Sequence, residues 1–241
     1  MGGDVETIGI AEARSALAWW LAAGVDAAIQ EEPRNWLKPP SRPGTAQQGL
    51  TPLEQAPNIR RPTHETLTDL QEWLASSVQL PLASASAKRI LPHGPENAAV
   101  MLLSDAPALE DYTAGQPIGG EAWDLAKRML AAIGIAPEQA YSASLSPIHA
   151  PGARLSDAHR DDYAEIARGH IRLAKPQRLL LLGDGPARAL LGKPIAQARG
   201  HVHKVEGVRT VATFHPRHLL KRPLDKRLAW QDLLLLMEDK S

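Results

Sequence analysis

Residues 178–192 read RLLLLGDGPARALLG and combine a strand with the helix that follows it. The run Arg178–Leu182 is apolar after its first residue, which is typical of a strand covered on both faces of a parallel sheet. The run breaks at Gly183, and Pro186–Leu191 follows as a short helix that ends at Gly192. This stretch therefore predicts one strand–helix unit of an α/β fold.

The same alternation of strand and helix continues on both sides of this unit. Further strands are predicted over Ala98–Leu103, Gln139–Leu145 and Arg209–Phe214, and helices over 64–76, Glu121–Ile133, Ser156–Ala174 and Arg217–Met237. In the last helix we expect Trp230, Leu233, Leu234 and Met237 to face inward. The pattern predicts a three-layer α/β/α sandwich with a central, mostly parallel four-stranded sheet.

The first third of the chain differs in composition from the rest. Residues 1–32 hold an N-terminal amphipathic helix with Leu17, Trp20 and Leu21 at helical spacing, and residues 33–63 form a proline-rich linker. We expect 64–241 to be the folded domain. The N-terminal helix docks either onto a protein partner or back onto the domain, and the sequence leaves both open.

Composition limits the possible chemistry. The chain of 241 residues has no cysteine, so disulfides, thiol nucleophiles and iron–sulfur clusters are excluded. No apolar run is long enough to cross a membrane, and the start lacks the basic region of a secretory signal. We expect a cytoplasmic protein, monomeric, without a cofactor.

Net charge is zero, but residues 199–227 are basic. This stretch holds Arg199, Lys204, Arg209, Arg217, Lys221, Arg222, Lys226 and Arg227 against two acidic residues, Glu206 and Asp225. Such a patch can bind phosphates while the whole molecule is neutral. The alternative is a solvated basic face.

Two loops that follow predicted strands carry reactive side chains. Small residues and Asp105 follow the first strand, before a glycine-rich segment at 115–120; a carboxylate there can orient a water. His215 follows the last strand, with Pro216 opening the next helix. Ligands of parallel sheets bind beyond the carboxyl ends of the strands, where both residues lie. For each of the two loops, the alternative is an ordinary strand-to-helix connection whose side chains bind no ligand.

Four histidines fall near the end of the chain and suggest a second alternative, a metal site. His201 and His203 would share one face of a strand, and His215 and His218 lie close behind in sequence. No cysteine or separately placed carboxylate completes a ligand set, so we expect no bound metal. A small-ligand or metal-binding α/β protein nevertheless stays open as a function.

The spacing of these pieces resembles the uracil-DNA glycosylase superfamily, specifically its family four branch, over residues 98–237. The matching elements in order are residues 104–108 (SDAPA), 115–120 (GQPIGG), 141–144 (YSAS), 181–192 (LLGDGPARALLG), 199–200 (RG) and 213–233 (from TFHP to LAWQDL). The resemblance implies a DNA glycosylase that hydrolyses the N-glycosidic bond of uracil or a related damaged base, with DNA as its partner.

The resemblance also implies roles for individual residues. His215 would donate to the leaving base, and Asp105 would attend the attacking water. Substrate contacts would come from Ser104, Ala106, Pro107, Ala108, Ile118 and Ser144. Phosphates would be bound by Arg199, Arg217, Lys221 and Arg222.

Several positions depart from the family's pattern. Ile118 stands where the family has a stacking phenylalanine, and Ser144 where it has a base-reading asparagine. The four cluster-binding cysteines are missing, and Pro81, Ile148 and Tyr163 lie near three of their places. These departures suggest another reading, a catalytically inactive module of glycosylase fold that binds DNA or another partner.

Overall fold

The computed structural model describes residues 64–83, 87–149 and 157–238. The N-terminal helix and the proline-rich linker predicted for residues 1–63 lie outside this part. None of the described helices is long and apolar enough to cross a membrane.

Strands and helices alternate through the described residues. The strands are β1 (Val100–Ser104), β2 (Ala140–Ser144), β3 (Arg178–Leu182), β4 (Val202–Val205) and β5 (Val208–Thr213). The helices are α1 (Leu67–Ser76), α2 (Leu109–Ala114), α3 (Gly120–Ala132), α4 (Asp157–Ala174), α5 (Asp184–Leu191), α6 (Ile195–Ala198), α7 (Pro216–Lys221) and α8 (Lys226–Met237). Two 3-10 turns, Pro137–Gln139 and Pro223–Asp225, lie between them.

The sheet has the strand order β2-β1-β3-β5-β4. The β1/β2, β1/β3 and β3/β5 pairs are parallel, and β4 runs antiparallel to β5 at one edge. The α/β fold class predicted from the sequence is confirmed, but the sheet has five strands instead of four. The strand that was missed turns back through Glu206 and Gly207, which both have positive φ (49° and 82°), as a two-residue hairpin requires.

Two apolar cores cover the two faces of the sheet, because successive residues of a strand point to opposite sides. Leu179 and Leu181 of β3 face the core shared with α1, α4 and α5. Leu180 and Leu182 face the core shared with α3 and α8. This two-sided burial explains why the central strands are apolar at nearly every position.

The end of the chain differs from the single helix predicted over Arg217–Met237. Pro223 has no backbone N–H to donate, and the chain makes a 3-10 turn between α7 and α8. Leu233 is buried as predicted, whereas Trp230 and Leu234 are 41% and 43% exposed.

The region near the family's missing cysteines is held by side-chain packing and hydrogen bonds. The Tyr163 hydroxyl donates to the Pro81 carbonyl at 2.7 Å, and Ile148 lies in the same core as Tyr163. The Arg89 guanidinium donates to the carbonyl oxygens of Leu74 and Ser77 at 2.8 and 2.5 Å. These contacts join the end of α1 to the segments that precede β1 and follow β2.

Candidate active site

A cavity of about 420 Å³ opens at the carboxyl ends of β1, β3 and β5. Its lining residues come from the end of β3, from the loops that follow the three strands and from the helices after β3 and β5: Asp105, Ala106, Leu182, Gly183, Asp184, His215, Arg217, His218 and Lys221. Residues 105 and 215, far apart in sequence, thus open onto one space. Six of the residues singled out in the sequence line this cavity: Asp105, Ala106, His215, Arg217 and Lys221 from the glycosylase assignment, and His218 from the metal alternative.

His215 is half-buried at the point where β5 ends and α7 begins. Its Nδ1 accepts the backbone N–H of Arg217 at 3.1 Å, so the ring proton of the neutral form is on Nε2. Burial lowers the pKa of His215 to about 4, with the Arg217 charge acting in the same direction and Asp111 against it. At neutral pH this side chain is a neutral imidazole with an N–H donor on Nε2.

Asp105 is the first residue after β1 and lies in the open cleft, surrounded by protein yet accessible to solvent. Its surroundings raise the pKa of the carboxyl, chiefly by desolvation, and the nearby Asp184 adds to the effect. The Ala106 backbone N–H and the Arg160 charge act in the opposite direction. The net effect is a pKa above the ordinary value for aspartate, so the Asp105 carboxylate binds a proton more readily.

Asp111 is a buried residue of the site that was not predicted from the sequence. Its carboxylate is 1% exposed and accepts from the backbone N–H of Ala108 at 2.8 Å and of Gly119 at 2.6 Å. It also accepts from the Arg217 guanidinium at 2.7 Å. One carboxylate thus joins the loop after β1 and the loop after α2 to the start of α7. An acidic residue three positions after a helix N-cap is a capping signal that could have indicated it.

Comparison with known proteins identifies the family. The model of the uracil DNA glycosylase superfamily matches residues 91–234, which is more than half of the chain and includes all five strands of the sheet. The chain belongs to the uracil-DNA glycosylase superfamily. It is also similar to the type-4 uracil-DNA glycosylase of Archaeoglobus fulgidus, with 24% identity over 170 residues that cover 66% of this chain and 85% of the relative. The superfamily assignment made from the sequence is confirmed.

Other residues expected to contact substrate are placed elsewhere in this glycosylase fold. Ile118 is completely buried in the core with α3 and α8. Ser104 is buried, and its hydroxyl lies 3.2 Å from that of Ser144. The Pro107 carbonyl lies 2.8 Å from Nδ1 of His149. The residues that do not line the cavity are Ser104, Pro107, Ala108, Ile118 and Ser144. Their roles stay predictions.

The four phosphate candidates of this superfamily member fall into two groups. Lys221 and Arg222 are exposed at the end of α7. The Arg199 guanidinium instead pairs with the fully buried Asp232 at 3.0 Å and donates to the Leu228 carbonyl at 2.7 Å. Arg217 is similarly occupied by Asp111. A phosphate role for Arg199 or Arg217 stays a prediction, and it would require the guanidinium to leave a carboxylate partner.

Two of the four histidines considered for metal binding, His203 and His218, have hydrogen-bond partners in the protein. Nε2 of His218 lies 2.6 Å from the Asp225 carboxylate, and its ring stacks on Phe214. Nε2 of His203 lies 2.7 Å from the Ala198 carbonyl. Within residues 64–83, 87–149 and 157–238, no group of three or more potential ligand side chains is close enough to hold a metal ion.

Proposed function

We propose that this chain is a DNA glycosylase that hydrolyses the N-glycosidic bond of uracil or a related damaged base in DNA. The observation that supports it best is that the neutral imidazole of His215 and the carboxyl of Asp105 line the same cavity. Membership of the uracil-DNA glycosylase superfamily supports the reaction class. The similarity to a type-4 enzyme supports uracil as the first base to test.

The chemistry requires the base to leave with the electron pair of the broken bond between C1′ and its nitrogen. The Nε2–H of His215 donates to a carbonyl oxygen of the base and stabilises the charge that develops there. A water oxygen forms the new bond to C1′, and its proton goes to the Asp105 carboxylate. The raised pKa of Asp105 makes it a stronger base than an ordinary aspartate.

DNA would approach along the positively charged side of the cavity. Lys221 lines the cavity, and Arg222, Lys226 and Arg227 follow it as exposed cations. Cations at this position neutralise phosphates and give binding that weakens with salt. Leu224 lies among them and is 91% exposed, a position suited to an apolar wedge between bases.

The test is an excision panel with purified protein. Single- and double-stranded oligonucleotides that contain uracil, hypoxanthine or xanthine are incubated with stoichiometric protein, and abasic product is measured after alkaline cleavage. We expect product with at least one base, and at least a hundredfold loss for His215→Ala. His201→Ala is the matched control, because His201 is exposed and does not line the cavity. No product from any substrate refutes the proposal.

A second candidate function is DNA binding without base release. Two observations favour it. Position 118 holds a completely buried isoleucine instead of an aromatic side chain, and position 144 holds a serine, paired with the Ser104 hydroxyl, instead of an amide. An aromatic platform and a bidentate amide are the usual means of gripping and reading a base. DNA binding that weakens with salt, together with no abasic product from any oligonucleotide, would support this second candidate.

A further inference from the structure

The side chain of Asp105 lies directly against a glycine of the next strand–helix unit. Gly185 is the second residue of α5, and the three atoms nearest to a Cβ built there are all from the Asp105 carboxyl group. The farthest of the three, Oδ2, would be 2.6 Å away, whereas real Cβ atoms essentially never come closer than 3.0 Å. Any other residue at 185 therefore displaces the carboxylate.

Backbone geometry does not explain the glycine at this position. Gly183 has a φ of +95°, a value that residues with a side chain rarely adopt, and a Cβ added there would lie at an ordinary van der Waals distance from His215. Gly185 has no such φ and lies in a helix, where alanine is preferred over glycine. The space taken by Asp105 is what requires glycine at 185.

We propose that Gly185 is a positioning residue that seats the Asp105 carboxylate against the first turn of α5. This inference rests on the proposed function in so far as Asp105 acts on the attacking water. A methyl group at 185 forces the carboxylate to retreat by about 1 Å towards the open cavity, and a misplacement of that size can cost a hundredfold in rate.

The first experiment compares Gly185→Ala with a matched helical control, Gly169→Ala in α4, whose added Cβ meets only the flexible end of Arg172 at 3.7 Å. Excision is measured under single-turnover and steady-state conditions. We expect Gly185→Ala to lower kcat about a hundredfold with KM for DNA changed less than threefold. Gly169→Ala keeps full activity. Wild-type kcat in Gly185→Ala overturns the inference.

A double-mutant cycle separates positioning from general damage to the fold. In Asp105→Ala protein the space beside residue 185 is free, so adding Gly185→Ala should cost no further activity and should raise the melting temperature. In the wild-type background the same change should raise the melting temperature less, because displacing the Asp105 carboxylate opposes the gain from alanine in the helix. An equal change of melting temperature in both backgrounds means that Gly185 does not act through Asp105, and it overturns the inference.

A measurement without turnover keeps this inference distinct from the proposed function. Desolvation has the largest effect on the pKa of Asp105, followed by the Ala106 N–H, the Arg160 charge from α4 and the Asp184 charge from α5. The titratable or charged groups of α7 that line the same cavity are His215 at its N-cap, Arg217, His218 and Lys221. Carbon-13 NMR titration of the carboxyl should show a lower midpoint in Gly185→Ala, because the displaced group is better solvated. An unchanged midpoint overturns the inference, even if the wild type proves unable to excise a base.

Discussion

Asp111→Asn tests whether one buried carboxylate holds the cavity together. Asp111 accepts two backbone N–H donors and one guanidinium on two oxygens, and it is 1% exposed. The amide keeps the shape but turns one acceptor into a donor, which faces the N–H of either Ala108 or Gly119. It also leaves Arg217 without its buried counter-charge. Breaking a buried pair in this way costs about 3–5 kcal/mol, and we expect about 3 kcal/mol because Arg217 is partly solvated.

The assay is urea unfolding followed by tryptophan fluorescence, with the free energy of unfolding extrapolated to water. A loss of about 3 kcal/mol corresponds to a melting temperature lower by roughly 6–12 °C in a domain of this size. Glu110→Gln is the matched control, since Glu110 is exposed and lies 3.8 Å from the same guanidinium; we expect less than about 0.5 kcal/mol. A cost for Asp111→Asn no larger than that of the control would refute the reasoning.

Four further predictions follow from burial and charge. Burial lowers the pKa of His170 from 6.5 to about 4, so the folded state favours the neutral ring. The resulting stability is fully present above pH 6.5 and is lost as pH falls to 4. We expect the free energy of unfolding of the wild type to fall by about 3 kcal/mol over this range from His170, and this contribution to be absent in His170→Gln. Arg199→Ala should cost about 3 kcal/mol of stability, because it leaves the Asp232 carboxylate buried without its counter-charge, and an unchanged salt dependence of DNA binding would exclude Arg199 from phosphate contacts. Lys221→Ala should instead lower the salt slope by about 1 and leave urea midpoints unchanged. Excision should fall as pH is lowered, because the Asp105 base, whose pKa is raised, gains a proton and because His215, with a pKa of about 4, gains one near pH 4. In Asp105→Asn protein only the His215 step remains, and a change in the residual rate between pH 8 and 6 would contradict a neutral imidazole donor. Leu224→Ala should slow excision from duplexes more than from single strands, and equal rates on both would argue against a wedge.

Local sequence patterns were sufficient to predict the fold class and to select Asp105 and His215, which line the same cavity. An apolar run such as Arg178–Leu182 is a local pattern, and burial on both faces of a sheet accounts for it without knowledge of the neighbours. Asp105 and His215 could be singled out because each directly follows a strand, and the carboxyl ends of parallel strands meet. The superfamily could be identified because its elements occur in order along the chain.

The contacts of individual charged and small residues could be read only from the folded chain. Asp111 and Arg217 are 106 positions apart, and nothing local to either indicates that they pair. The sequence indicates the charge of Arg199 but not its neighbour, and only the fold shows that Asp232 lies beside it. Gly185 reads as a helix-start glycine until Asp105 occupies the space beside it. Local patterns record how a residue suits its own strand or helix, whereas these contacts depend on the three-dimensional packing of segments that are distant in sequence.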